Sequence, residues 1–202
     1  MKKAIVMTIM AIMAIAAYAG DEPEFTVTSG SFIETTHQKG KTATIQFDYL
    51  NARVGDLKKM DFTDKTLEQY MKEEDPDGWK QWDNYMKRCK KFFTNRWNDE
   101  KKVIKIVDGD KADYHIIFKA DEFDTGNGVA SAFSFSKRDG GVVMSGTLSI
   151  QDASGNTVCT VKVVKYRGAA TRNMDFKMPT FDRRLELFHK SLAKDLLEDI
   201  KK

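Results

Sequence analysis

Between residues 142 and 166 the chain alternates side-chain character in two runs joined by Ala153-Ser154-Gly155-Asn156. In the second run Val158, Thr160, Lys162 and Val164 stand out of phase with Cys159, Val161, Val163 and Lys165. A period of two places one set on each face of a strand, and the Gly-Asn pair supplies a turn, so an antiparallel hairpin is expected here. One hairpin cannot bury its own apolar face. The rest of the chain must therefore supply further strands and a covering layer.

Further strands are expected at 25–28, 42–50, 103–107, 112–123 and 129–137. The second sets Ile45, Phe47 and Tyr49 against Thr44, Gln46 and Asp48, and the last carries Phe133 and Phe135 in register. Turn sequences Asp108-Gly109-Asp110, Asp124-Thr125-Gly126-Asn127-Gly128 and Asp139-Gly140-Gly141 separate them, which makes the last four strands an antiparallel meander. Residues 36–41 and 51–62 read as loops. The covering layer comes from helices. Thr63 or Asp64 opens a short one carrying Leu67, Tyr70 and Met71. Asp75 caps a long one over 76–98 with Pro76 at its first position and a stripe of Trp79, Trp82, Met86, Cys89, Phe93 and Trp97. A closing helix over 181–201 repeats the pattern with Phe181, Leu185, Phe188, Leu192, Leu196 and Ile200. The expected fold is α+β: a two-layer sandwich of a mainly antiparallel sheet, with the long central helix and the C-terminal helix packed on one face.

The first 19 residues carry an address. Met1-Lys2-Lys3 is followed by an uncharged apolar run from Ala4 to Ala17 and then by Ala17-Tyr18-Ala19. A basic start, a short apolar core and small residues at the cut describe a cleavable secretory signal, and the run is too short for a bilayer span of roughly 20 residues. Residues 1–19 are thus read as a signal peptide cleaved after Ala19. Residues 20–202 are read as a single domain, divided into 20–62 (strand and loop), 63–98 (helical), 99–167 (β-meander) and 180–201 (C-terminal helix). The expected location is periplasmic or secreted, with no stable membrane insertion once the signal is removed. Gly20 and Asp21 stand where a lipid-anchored protein carries a cysteine.

Charge and cysteine content narrow the function classes. The chain has 33 basic and 30 acidic residues, and loss of Lys2 and Lys3 brings it close to neutrality. That disfavours nucleic acid, whose binders carry a surplus of Lys and Arg. The two cysteines, Cys89 and Cys159, could form one disulfide in an oxidising compartment or remain two buried thiols.

A sequence of short motifs points further. Phe92-Phe93-Thr94-Asn95-Arg96-Trp97-Asn98 ends the long helix, Ala112-Asp113-Tyr114 opens a long strand, and Asp152-Ala153-Ser154-Gly155-Asn156-Thr157-Val158 tips a hairpin before the C-terminal helix. In this order they resemble exported envelope domains related to the curli-secretion lipoprotein and the N-terminal domain of the Tol-system propeller protein, where an ADY strand opening and a D-x-x-G-x-x-V hairpin recur. The resemblance spans about 76–202. The chain is also similar to secreted envelope proteins of gut-type Gram-negative bacteria to which no activity attaches. The resemblance implies an envelope location and a binding role. Without a lipobox cysteine, and with extra N-terminal strands, membrane attachment and pore formation do not carry over.

No catalytic constellation stands out. His37, His115 and His189 have no His, Cys or acid at metal or triad spacing, and no Gly-x-Ser-x-Gly elbow occurs. Asp121, Glu122, Asp124 and Asn127, or Asp108, Asp110 and Asp113, could offer oxygens to calcium, but neither set has EF-hand spacing and the same residues build plain turns. No metal or cofactor is expected. Contact candidates are Trp82 and Tyr85, which straddle the helix stripe, Asp124 and Asn127 in one loop, and Arg172 and Asn173 in the loop 168–179. The leading expectation is an exported, non-enzymatic domain that binds a partner protein or cell-envelope component through its open sheet face or these loops. The alternative is a binder of a small apolar or carbohydrate ligand. A third, an enzyme of unfamiliar type, requires Asp113, His115 and Asp121 to meet in a cleft.

Overall fold

The structure, a computed structural model, describes residues 24–57, 61–109, 111–126, 138, 140–170 and 179–200. The expected signal segment 1–19, the expected strand 129–137 and the contact candidates Asn127, Arg172 and Asn173 lie outside the described residues. Strands β1 (Phe25–Gly30), β2 (Thr42–Asp48), β3 (Arg53–Asp56), β4 (Asp61–Thr66), β5 (Lys105–Ile106), β6 (Tyr114–Asp124), β7 (Val143–Asp152) and β8 (Thr157–Arg167) form one sheet in the order β1-β8-β7-β6-β2-β5. The pair β3–β4 continues the sheet along the far end of β6, past the end of β2. Helices α1 (Phe32–Thr36), α2 (Leu67–Glu74), α3 (Pro76–Lys80), α4 (Trp82–Asn98) and α5 (Phe181–Asp199) complete the fold, which is the expected α+β class.

The β7–β8 hairpin forms with the expected phase: Leu148, Ile150, Cys159, Val161 and Val163 are all buried, while Thr147, Ser149, Thr160 and Lys162 point the other way. On the neighbouring strands Ile116, Phe118 and Ile45 join the buried side, and Thr44, Gln46 and His115 the open one. Bulges keep the apolar side continuous. A register shift between Ala120 and Glu122 turns Phe123 inward, and another in β8, where Lys165 has φ +46°, does the same for Tyr166. The helices α4 and α5 pack on each other and cover this one face, Phe93 meeting Phe47 and Phe188 meeting Tyr166, each with ring centroids 5.4 Å apart. On the opposite face the side chains are largely polar and part- to fully exposed among the described residues.

Pairing within the sheet is mixed rather than a simple meander. The antiparallel set is β1-β8-β7-β6, with the N-terminal β1 as its fourth strand, and β2 joins β6 in parallel. The chain from β2 to β6 crosses over through α2, α3 and α4 and so returns in the same direction, as parallel strands require.

Local chemistry redraws several boundaries. Thr66, not Thr63 or Asp64, caps α2: its side chain accepts from the Gln69 N–H while the Gln69 side chain accepts from the Thr66 N–H. Residues 61–66 are therefore strand, and the expected loop 51–62 contains β3. The expected helix 76–98 is two helices. Asp75 caps the first as anticipated, accepting from the Gly78 N–H at 3.0 Å, but Gly78 weakens that turn and Gln81 (φ −99°, ψ 0°) interrupts the helix before Trp82. An unanticipated single-turn helix, α1, is capped by Ser31 through the Glu34 N–H.

Candidate functional site

Of the contact residues proposed from sequence, Trp82, Tyr85 and Asp124 fall within the described residues, and each is engaged by its own neighbours. Trp82 is buried in the core at 6% exposure, and Tyr85 is half-buried with the Arg88 guanidinium 5.1 Å above its ring. Asp124 turns its carboxylate onto the Gly126 N–H at 2.8 Å, a turn-forming role. Cys89 and Cys159 are separate, free and buried thiols, and no disulfide joins them. The reason is positional: Cys89 rides on α4, which packs over β2, whereas Cys159 lies on β8 with β7 and β6 between. Burial pushes the Cys89 thiol far above its ordinary range.

Of the calcium candidates Asp110 and Asn127 lie outside the described residues, and others have partners of their own. Glu122 pairs with Arg53, Asp108 pairs with Lys90, and Asp113 accepts from Lys41 at 2.6 Å and from the Thr42 N–H at 2.9 Å. These partners, Lys41 first, hold the Asp113 carboxyl below its usual range. No three His, Cys, Asp or Glu side chains converge as metal ligands among the described residues. His115 bonds Thr44 Oγ1 through Nδ1 at 2.8 Å. Asp121 sits six residues along the same strand, about 20 Å away at a strand's rise, so the two share no cleft.

The most perturbed ionisable groups are internal. His189 Nδ1 lies 2.7 Å from the Leu185 carbonyl, which can only accept, so this nitrogen carries the proton and Nε2 accepts from the Tyr49 hydroxyl at 2.7 Å. Burial, against that carbonyl bond, lowers the imidazole to about 4 and raises the Tyr49 phenol. Buried Asp195 accepts from Tyr166 and from Arg138, each at 2.7 Å. Buried Glu186 is gripped by Arg88 at 2.6 Å and Arg183 at 2.7 Å, which ties α4 to α5. Each of these groups is buried and held by hydrogen bonds or ion pairs to its neighbours, which is a structural role.

The concave surface lies elsewhere, along the β2–β5 edge. Strand β5 pairs only with Thr42 and Ala43, so beyond Ala43 this edge of β2 has no strand neighbour among the described residues. The Ala43 carbonyl accepts from the Val107 N–H on that side. By strand alternation the backbone groups of Ile45 and Phe47 face the same, open side. They border a groove of about 310 Å³ whose other wall is Asp83, Met86, Lys87 and Lys90 of α4. Next to it, a basic hollow of about 510 Å³ runs on between Lys87, Lys91 and Asp108. A third cavity, of about 600 Å³, lies between the segments leading into β2 and β5 and is lined by His37, Lys39, Lys41, Lys101, Lys102 and Lys105 among others. Sequence reasoning missed this edge. Its available signals were Lys39-Gly40-Lys41 and Lys101-Lys102, each just ahead of a strand.

No protein-family model matches the chain, and no curated protein does. Solved structures similar to it include the PelC dodecamer from Paraburkholderia phytofirmans, at 13% identity and a TM-score of 0.38, and a single-substitution variant of that dodecamer, at 13% and 0.37. Each similarity covers 85% of this chain and 95% of the other. At that level neither architecture nor role carries over.

Proposed function

We propose that this chain is an exported, non-enzymatic binding domain that takes an extended, acid-bearing segment of a cell-envelope partner protein along the open edge of β2. The observation that carries this reading is the edge itself: the backbone of Ile45 and Phe47, with no strand partner on that side among the described residues, borders a groove whose far wall combines the apolar Met86 with Lys87 and Lys90. An open strand edge recruits an added strand by main-chain hydrogen bonds, and a pocketed, charged rim selects its side chains. The signal-like residues 1–19 and the motif resemblance to envelope domains support the address. The internal, saturated state of His189, Asp195 and Glu186 supports a binding role over catalysis. Among the described residues no helix is long and apolar enough to cross a membrane.

A photo-crosslinking residue placed at Gln46, whose side chain is exposed beside the groove, tests the reading in producing cells. A discrete crosslinked protein is expected, weakened by Lys87→Glu with Lys90→Glu and absent when the crosslinker sits at Thr28 on the opposite edge. Crosslinks that are missing, or equal at the two edges, would sink it.

A further inference from the structure

Lysine dominates the lining of the cavity between the entrances to β2 and β5. Five of its nine lining residues are lysines, and no Asp or Glu lines it among the described residues, although basic and acidic residues are nearly balanced over the chain. Lys41 is neutralised by Asp113 at 2.6 Å. Lys105 is fixed differently: its ammonium donates to the main-chain carbonyls of Asn98 and Glu100, both at 2.7 Å, which hold it in place without cancelling its charge. Lys39, Lys101 and Lys102 make no ion pair or hydrogen bond among the described residues. His37 bonds Thr36 Oγ1 through Nδ1 at 3.1 Å and leaves the rest of its ring to the cavity.

Like charges gathered in a concave wall focus a positive potential, and an entering anion relieves their mutual repulsion. The choice of cation is informative. Every charged basic chain here is Lys, a compact point charge that binds phosphate from any direction, and none is Arg, whose planar fork demands a bidentate carboxylate or phosphate geometry. Point ammonium groups on several sides suit an oxyanion of high charge and near-spherical shape. The volume falls within the roughly 300–1,000 Å³ of small-molecule sites.

We propose that this cavity is a phosphate-binding site for a ligand carrying more than one phosphate charge, presented by a soluble molecule or by lipid head groups. It is independent of the β2-edge reading, because it lies at the entrances to β2 and β5 and shares no lining residue with that groove.

The test is calorimetric titration of the purified protein with inorganic pyrophosphate, beside co-sedimentation with vesicles of phosphatidylglycerol in phosphatidylcholine and with phosphatidylcholine alone. Binding is expected to weaken as salt rises and to fall at least about tenfold in the triple variant Lys39→Glu, Lys101→Glu, Lys102→Glu. All three side chains are exposed, so an unchanged urea midpoint verifies that the variant is folded. Pyrophosphate binding without vesicle binding assigns a soluble phosphate, and phosphatidylglycerol-dependent sedimentation assigns a head group. Either supports the site. Absence of both at low salt overturns it, as does a triple variant that binds like the parent. Equal loss in the double variant Lys87→Glu, Lys90→Glu also overturns it, since that pattern would report diffuse charge. That double variant weakens partner crosslinking at Gln46 while sparing pyrophosphate, so the two proposals fail separately.

Discussion

Acidification acts on one side chain at the centre of the molecule. His189 has no exposed surface and sits against the rings of Phe47, Tyr49 and Phe188. Its imidazole is lowered from 6.5 to about 4, by burial first, with the Leu185 carbonyl bond opposing. The unfolded chain therefore takes up a proton near pH 6.5, while the folded protein declines it until about pH 4. Between those values the unfolded state binds more protons, so stability falls as pH falls. The loss is absent above 6.5, grows through the window and is complete below about 4. At about 1.4 kcal/mol per unit the whole gap is about 3 kcal/mol, a large part of a typical stability of roughly 5–15 kcal/mol. Asp113 and Asp152 are held below their ordinary 3.8 by hydrogen-bonding partners, so their own contributions are lost below this window rather than within it. Urea denaturation across the pH range reads the effect as a falling midpoint at constant slope. His189→Gln, which cannot titrate, should be less stable near neutrality and should lose most of the pH dependence between about 6.5 and 4. A parent protein that loses less than about 1 kcal/mol over that window, or a variant whose stability changes with pH as the parent's does, refutes the reasoning.

Two further outcomes follow from the packing. Asp195→Ala should destabilise by about 1–3 kcal/mol, because it leaves the buried Tyr166 hydroxyl without its acceptor while the part-exposed Arg138 keeps Glu24, whereas Glu198→Ala on the exposed Lys194 pair should cost under about 1 kcal/mol; thermal melts of the two variants compare them directly. Ellman's reagent should label neither Cys89 nor Cys159 in the native protein at neutral pH and both in urea, since both are enclosed and burial raises both thiols; rapid native labelling would contradict that burial.

What sequence patterning conveys here divides by range. The β7–β8 hairpin and the α5 stripe are written in local alternation, and both elements lie where Cys159, Val161, Phe188 and Leu192 place them. The edge hairpin β3–β4 is illegible because it is half solvent-facing and largely polar, Val54 and Phe62 being its only apolar side chains. Gln81 breaks a helix whose apolar spacing runs on from Trp79 to Trp82, so periodicity alone joins α3 to α4. The lysine cavity is a product of long-range pairing: residues 37–42 and 101–105 meet only because β5 lies parallel to β2, and parallel pairing leaves no local signature.

The order of the strands also governs when this molecule can begin to exist. β1 waits for β8, which contributes Val163 opposite Phe25, and β2 waits for β5 and β6. A chain emerging from its N-terminus thus delivers two strands with no partner until most of its length has followed. Loop closure over such separations is slow, and the early segment gains little by collapsing alone. Such a polypeptide stays threadable late into its synthesis, the condition that passage through a narrow channel demands, and it becomes rigid only after its last helix arrives to cover the sheet.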